Sequence, residues 1–178
     1  MGDGGDGQEE RYALAARAFG PALERLARAY EADADRRRDL VQEIHLALWR
    51  SLAGFDGRCS LRTWVYRVAH NVGAGHILKQ RSRGRGPGGG LVSLDEVELA
   101  APGASPEEAV GERQALERLM ALIRGLKPAD RQLMLLYLED LPAAEIAQIT
   151  GLTPGAVAVR IHRIKAVMAR TFQQGSQP

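Results

Sequence analysis

The sequence predicts an all-α protein made of two small helical domains joined by a flexible linker. Apolar residues recur at helical spacing in several segments, and no segment shows the alternation that is typical of a strand. Aromatic residues make up only 5% of the chain, which favours helices packed through Leu, Ala and Val. A stretch rich in glycine and arginine, RSRGRGPGGG, separates two helical blocks. We therefore place the first domain at residues 10–80, the linker at 81–106 and the second domain at 107–172.

The first domain opens with a helical pattern from Glu10 to Tyr30, while residues 1–9 are predicted to be disordered. Gly20-Pro21 interrupts this pattern, which predicts a break that splits the helix in two. A second helix follows, and its apolar residues keep the helical period: Leu40, Val41, Ile44, Leu48 and Leu52. Trp49 of this helix suits either the core or a contact with a partner, and we assign it to the core.

The third helix begins after the loop AGFDGRCS, where Ser60 is a good N-cap, and runs to about Gln80. Its apolar face, which includes Trp64, points to the core. Basic, aromatic and amide side chains are interleaved over ten of its residues, from Arg62 to Asn71. Arginine binds phosphates, aromatic rings stack on bases and asparagine reads base edges, so this helix suits single-stranded nucleic acid. A merely solvated face would account for the arginines equally well.

The second domain contains a helical pattern from Val110 to Leu126 and a helix that starts at Pro128 and runs through Leu138. Residues 141–170 then predict two helices joined by a tight turn. Gly151 can end the first of them in the left-handed conformation, and Thr153 can cap the second.

The last predicted helix is basic on its outer side. Val157, Ile161 and Ile164 form its apolar face, and Arg160 and Arg163 lie off that face. The pattern predicts a helix-turn-helix with a basic recognition helix. A plain helical hairpin with a solvated basic face is the alternative.

Overall charge says little about partners, because the net charge is only +2, but the charge is unevenly distributed. No acidic residue lies between Asp56 and Asp95, whereas many arginines do, which suits a polyanionic partner. A single cysteine, Cys59, excludes an internal disulfide framework and fits a reducing cytoplasm. No apolar run is long enough for a membrane span, and the acidic N-terminus is unlike a secretory signal. We expect a cytoplasmic protein.

Two segments resemble a known family. The segment DLVQEIHLALWRSLAGFDGRCSLRTWVYRVAHN resembles region 2 of the extracytoplasmic-function sigma factors of the sigma-70 superfamily. The segment from Ala115 to Met168 resembles region 4. The resemblance includes the pattern at the start of that region, which here consists of Leu126, Pro128, Arg131 and Gln132. The region 2 match is carried by Asp39, Leu40, Gln42, Glu43, Trp49, Phe55, Gly57, Ser60, Thr63, Trp64, Arg67 and Asn71. Both matches stand in the family's order, with a linker between them.

The resemblance implies a non-enzymatic protein that needs no cofactor or metal. It would bind core RNA polymerase, through the β′ clamp helices and the β flap, and direct it to promoters. An anti-sigma factor is an expected further partner. The residues implied to bind polymerase are Asp39, Gln42 and Glu43.

The DNA contacts implied by the resemblance fall into two groups. The melted −10 strand would contact Phe55, Arg58, Ser60, Arg62, Thr63, Arg67, His70 and Asn71. The −35 duplex would contact Thr153, Gly155, Ala156, Ala158, Val159, Arg160 and Arg163.

The chain departs from the family pattern at two places. Arg36, Arg37 and Arg38 stand where relatives often carry acidic residues, which changes the charge next to the polymerase-binding face. Ala158 and Val159 replace the usual lysine and serine of the recognition helix. We expect −35 recognition here to use apolar contacts with thymine methyl groups and DNA shape.

Two other function classes compete with this hypothesis. A stand-alone helix-turn-helix regulator would bind a pseudo-palindromic duplex as a dimer, without polymerase. A metal-dependent enzyme would have to use Asp39, Glu43, His45 and Cys59, but His45 points away from the face of Glu43 on a helix. The metal-dependent enzyme is the weaker of these two alternatives. Cys59 lies in the loop implied to contact the melted strand, so its oxidation is an alternative means of altering promoter melting, but we expect an ordinary reduced thiol.

Overall fold

The computed structural model describes residues 3–83 and 108–174, and every regular element in these ranges is an α-helix. The first domain consists of α1 (Asp3–Tyr30), α2 (Ala34–Leu52) and α3 (Leu61–Arg83). The second consists of α4 (Glu108–Gly125), α5 (Pro128–Leu138), α6 (Ala143–Thr150) and α7 (Pro154–Gln174). The all-α prediction is confirmed. Helix α3 extends three residues into the predicted linker, and the rest of 81–106 lies outside the described residues.

The core of the first domain lies between its three helices, which all contact one another. Helix α2 contributes Leu40, Ile44, Leu48 and Leu52, all fully buried at the predicted helical spacing. Asp33 caps this helix, because its carboxylate accepts the backbone N–H groups of Asp35 and Arg36. Ser60 caps α3 as predicted, accepting the Thr63 amide at 3.0 Å.

Helix α1 is continuous, so two predictions for this segment are wrong. It begins at Asp3, within the stretch predicted to be disordered, and it runs through Pro21 without a break. Proline removes one helical hydrogen bond and crowds the preceding turn. The residues that follow, including Leu23 and Leu26, are buried against α2 and α3, and we attribute the tolerated proline to that packing.

Trp49 is 44% exposed, so its assignment to the core is wrong. It follows Leu48 directly, and a step of one residue turns a side chain about 100° away from the buried face of the helix. Leu14 and Leu116 also lie on helices at apolar positions and are exposed. Trp64, in contrast, is half-buried and packs against the core, as predicted.

The second domain places a helix-turn-helix, α6 and α7, on a support made by α5. Gly151 ends α6 with a φ of 76°, and the hydroxyl of Thr153 accepts the Ala156 amide at 3.2 Å. Both predicted signals are confirmed. Arg131 is buried although charged, because its guanidinium donates to the carbonyl groups of Ile123, Arg124 and Leu126 at the end of α4.

The two domains contact each other along two pairs of helices, α1 with α4 and α3 with α6. The guanidinium of Arg131 lies over the Tyr30 ring, 5.3 Å from its centroid. Arg124 donates to the carbonyl oxygen of Arg28 at 3.2 Å. Helix α6, the first helix of the helix-turn-helix, packs against α3. Sequence analysis assigned α3 to single-stranded nucleic acid.

Candidate nucleic-acid interface

The loop between α2 and α3 is shaped by its own side chains. Gly57 has a φ of 76°, a left-handed conformation that glycine adopts at least cost. The Asp56 carboxylate accepts the Arg58 amide at 3.1 Å and pairs with the Arg58 guanidinium at 2.7 Å. The Arg58 side chain is nevertheless 89% exposed, so it is available to an anionic ligand. Ser60 is exposed next to it.

Two aromatic rings form the wall behind this loop. Phe55 and Trp64 meet edge to face, with centroids 5.3 Å apart. The Trp64 indole N–H donates to the Ser51 hydroxyl at 3.0 Å, which fixes the ring orientation. A cavity of about 410 Å³ opens beside the wall, lined by Asp56, Arg58, Cys59, Trp64, Arg67 and Gln148. It lies at the segment that the resemblance assigns to the melted −10 strand.

Of the α3 side chains predicted to contact the strand, two are buried. Thr63 is 1% exposed and its hydroxyl lies 2.9 Å from that of Ser60, so it stabilises the start of the helix. His70 is 2% exposed and its Nδ1 lies 3.0 Å from the Tyr30 hydroxyl. Their prediction as surface contacts is corrected here: both face the interior of the first domain. Asn71 is exposed.

Burial also determines the charge of His70. Removal from water lowers the pKa of its ring to about 3, so the ring is neutral at physiological pH. A neutral, enclosed imidazole can neither attract a phosphate nor reach a base. Its partner Tyr30 is enclosed too, and burial raises the pKa of that hydroxyl.

Arg62 and Arg67 are half-buried because α6 lies against them. Arg62 forms an ion pair with Glu145 at 2.6 Å, and Arg67 donates to the carbonyl oxygen of Gln148 at 2.7 Å. Both are therefore engaged by the second domain.

Helix α2 presents a continuous exposed face. Asp39, Gln42 and Glu43 are all exposed, as a docking role requires, and Glu43 lies 3.8 Å from Lys79 of α3. Leu46 and Trp49 are 48% and 44% exposed and extend this face at helical spacing. Sequence analysis assigned Trp49 to the core and made no assignment for Leu46. The offset of both from the buried Leu40, Ile44, Leu48 and Leu52 positions indicates their exposure.

The recognition helix α7 buries one side and exposes the other. Val157, Ile161, Ile164 and Met168 are buried. The predicted duplex contacts that are exposed are Thr153, Gly155, Ala156, Ala158, Val159 and Arg163. Arg160 is half-buried, and its Nε donates to the Asp130 carboxylate of α5 at 2.7 Å. Asp130 thus fixes the position of Arg160, one of the two arginines predicted to contact the duplex.

Of the residues considered for a metal site, His45 has a partner on α1. His45 Nδ1 lies 3.1 Å from the Tyr12 hydroxyl. Within residues 3–83 and 108–174, no cluster of three His, Cys, Asp or Glu side chains could hold a metal ion. None of the helices in these ranges is both long and apolar enough to cross a bilayer.

Two known family descriptions match separate parts of the chain. Residues 15–83 match the family described as Sigma-70 region 2, and residues 116–168 match Sigma-70, region 4. The chain is 30% identical over 166 residues to the RNA polymerase sigma factor CnrH of Cupriavidus metallidurans, covering 89% of this chain and 84% of CnrH.

Other relatives are longer. The ECF RNA polymerase sigma factor SigG of Mycobacterium tuberculosis is 32% identical over 146 residues, which cover 72% of this chain but only 40% of SigG. This chain thus matches about two fifths of that relative.

Solved structures share the fold. CnrH in complex with the cytosolic domain of CnrY superimposes with a TM-score of 0.67 at 21% identity, covering 97% of this chain and 94% of the other. RpoE in complex with the anti-sigma factor NepR from Bartonella quintana superimposes with a TM-score of 0.64 at 18% identity. The match covers 91% of this chain and 96% of RpoE. With both regions in order and 84% of CnrH matched at 30% identity, the chain belongs to the extracytoplasmic-function sigma factors of the sigma-70 family.

Proposed function

We propose that this chain binds core RNA polymerase in the cytoplasm and directs it to promoters, where transcription starts. The observation that carries the proposal is the presence of region 2 and region 4 in order on one chain. The first domain would bind the polymerase and the melted −10 strand, and the second the −35 duplex. The chemistry that these steps require is binding, and the proposal assigns no catalytic residue.

The exposed face of α2 is the proposed polymerase contact. Asp39, Gln42 and Glu43 supply acidic and amide groups that suit the β′ clamp helices, and Leu46 and Trp49 add apolar area. Buried aromatic anchors surrounded by polar groups carry much of the energy in protein interfaces. Arg36, Arg37 and Arg38 lie one turn before this face, but Arg38 pairs with Asp35 and Arg36 with Glu31. These pairs offset part of the positive charge there. We assign the β flap contact to the second domain.

The loop and α3 are the proposed −10 contact. The cavity beside Phe55 and Trp64 offers a polar and aromatic pocket for one flipped-out base, and Arg58 lines it. Ser60 and Asn71 are exposed elsewhere on the loop and α3. Unstacking a base costs a few kcal/mol, which stacking and base-edge hydrogen bonds must offset. Arg62 and Arg67 would bind strand phosphates once released from α6.

Helix α7 is the proposed −35 contact. Its exposed side carries Ala158 and Val159, the latter 64% exposed, next to Arg163. Apolar side chains contact thymine methyl groups, while arginines bind phosphates or guanine edges. An anti-sigma factor is proposed as a regulator, since two structural neighbours were solved with such partners or their cytosolic domains.

Gel shifts on duplex DNA and on DNA with a melted bubble, with and without core polymerase, test this proposal against a stand-alone regulator. We expect specific binding to the bubble template only when core polymerase is present. Tight binding to a palindromic duplex by the chain alone would instead establish a regulator of duplex DNA.

A further inference from the structure

We propose that Asp130 is a positioning residue for promoter recognition. Its carboxylate, on the supporting helix α5, holds Arg160 of the recognition helix in the orientation that reads a guanine of the −35 element. The inference rests on the proposed function, which assigns α7 to that duplex. It gives a role in sequence selectivity to a residue that lies outside the recognition helix.

The pair joins two helices that are packed against each other. The Nε of Arg160 donates to Oδ1 of Asp130 at 2.7 Å. Helices α5 and α7 are in contact, and Leu136 of α5 and Val157 of α7 are both fully buried. Arg131 anchors the start of α5, because its guanidinium donates to carbonyl groups at the end of α4. The carboxylate is therefore presented from a rigid support, as a positioning group requires.

The contact uses the Nε side of the guanidinium. Arginine carries N–H groups on Nε and on both Nη atoms, all in one rigid plane. When Nε faces α5, the Nη groups point away from that helix, and the Arg160 side chain is 41% exposed. Two N–H groups of an arginine match the O6 and N7 acceptors of guanine in the major groove, which is the commonest specific contact with a base. The pair thus directs the base-reading side of Arg160 outward.

Stability and attraction to phosphates do not account for this carboxylate. The side chains of Arg160 and Asp130 are 41% and 22% exposed, and ion pairs that reach solvent contribute little stability. The negative charge of Asp130 also offsets that of Arg160, which lowers the sequence-independent attraction to phosphates. What the pair supplies is order, since a side chain already held in its bound orientation loses less entropy when it binds DNA.

Arg163, one turn further along α7, shows the opposite arrangement. It is exposed, and in the part of the chain that the structure describes no hydrogen bond or ion pair holds its side chain. An unrestrained arginine can follow a phosphate from one sequence to another. A restrained arginine favours the sequence that places acceptors in front of it. We therefore assign base reading to Arg160 and a phosphate contact to Arg163.

The test uses the full chain bound to core polymerase and a promoter mapped by run-off transcription, with the base pairs around −35 randomised. Sequencing the DNA that each holoenzyme retains gives the base preference at every position. We expect the wild type to prefer guanine at one of these positions, and Asp130→Asn to reduce that preference about fivefold. Arg160→Lys should reduce it at the same position, because lysine keeps the charge but not the planar fork.

Asp140→Asn is the control and should keep the wild-type preference. It makes the same chemical change in the turn after α5, at an exposed position where asparagine tolerates the φ of 55°. Asp130 also lies in the first turn of α5, where a carboxylate suits the helix dipole. A purely structural role there would lower the thermal stability and weaken binding to all sequences alike.

Three results would overturn the proposal: weaker binding to all sequences alike in Asp130→Asn, an unchanged guanine preference in that variant, or a guanine preference that Arg160→Lys keeps. The last result would show that Arg160 contacts a phosphate. The proposed function fails separately. If the wild-type holoenzyme starts at no defined site, the sigma function is wrong and the positioning role falls with it. Defined start sites with an unchanged preference in Asp130→Asn would reject the positioning role alone.

Discussion

The His70 ring packs between two tyrosines inside the first domain, with centroids 5.9 Å from Tyr30 and 6.4 Å from Tyr66. Burial lowers the pKa of His70 to about 3, whereas an unfolded chain titrates its histidines near 6.5. The unfolded state therefore binds more protons between these values. Stability is fully present above about pH 6.5 and is lost as the pH falls towards the folded pKa.

We expect His70→Phe to flatten this pH dependence. The wild type should lose up to about 1.4 kcal/mol of unfolding free energy per pH unit below pH 6.5, and the variant clearly less. Urea unfolding between about pH 6.5 and 5 measures the slopes. His162→Gln, at an exposed position, is the control and should keep the wild-type slope. Identical slopes for His70→Phe and wild type would contradict the assignment.

Arg160 differs from a freely solvated arginine because Asp130 holds it. If it contacts a phosphate, Arg160→Ala should weaken duplex binding and lower the slope of log affinity against log salt by about one. Arg170→Ala, which removes an exposed charge further along α7, should leave the slope nearly unchanged. A salt titration by fluorescence anisotropy compares them. An unchanged slope for Arg160→Ala would exclude a phosphate contact there.

Helix α3 contains two glycines whose surroundings differ. A Cβ on Gly73 would lie 2.9 Å from carbon atoms of the Tyr30 ring, whereas one on Gly75 would meet no atom within 4 Å. Helix propensity alone makes both glycines weak points of the helix. The structure shows that Gly73 makes room for the Tyr30 ring, which the Arg131 guanidinium covers.

Alanine substitutions should therefore have opposite effects in this one helix. Gly75→Ala should stabilise the fold by about 0.5–1 kcal/mol, since alanine is the better helix former. Gly73→Ala should destabilise it by about 1 kcal/mol or more, because overpacking outweighs that gain. Thermal unfolding of the two variants measures both. A stabilised Gly73→Ala variant would show that the Tyr30 ring is free to move.

The exposed face of α2 gives a prediction for polymerase binding. Asp39→Arg should weaken association with core polymerase through charge, and Trp49→Ala by about tenfold through lost apolar contact. Both residues are exposed, so the fold should remain intact. Leu14→Ala removes an equally exposed apolar side chain from α1 and should have no effect. Wild-type affinity of both α2 variants in a pull-down would refute the assignment of this face.

Local chemistry explains which elements were predictable. Caps and turns depend on a few neighbouring atoms, so Ser60, Gly151 and Thr153 mark helix boundaries correctly. The helical period likewise predicts the buried side of α2 and α7. Pro21 and Trp49 were misjudged because tertiary packing determines whether a proline is tolerated and which side of a helix is covered.

At the scale of the whole molecule, contacts between distant parts of the chain were beyond sequence reasoning. Arg25 and Glu139 are 114 positions apart, and nothing in either segment marks them as partners. The same holds for His70, whose residue type suits nucleic acid but whose position lies inside the core. Sequence analysis therefore predicted which residue types form the candidate site and in which segments they lie. The structure was needed to show which of these side chains are exposed, which are buried and which are covered by the other domain.

The division of labour between the domains is the claim on which the other proposals depend. One domain is proposed to bind a melted strand and the other a closed duplex, and both are needed to position the polymerase. Run-off transcription with purified core polymerase and fragmented genomic DNA, followed by mapping of RNA 5′ ends, measures this directly. We predict RNA that starts at defined sites only when the chain is added, and that Arg163→Ala, which alters the −35 contact, lowers the yield. Transcripts that start at the same sites without the chain, or at no defined site with it, would contradict the proposed function.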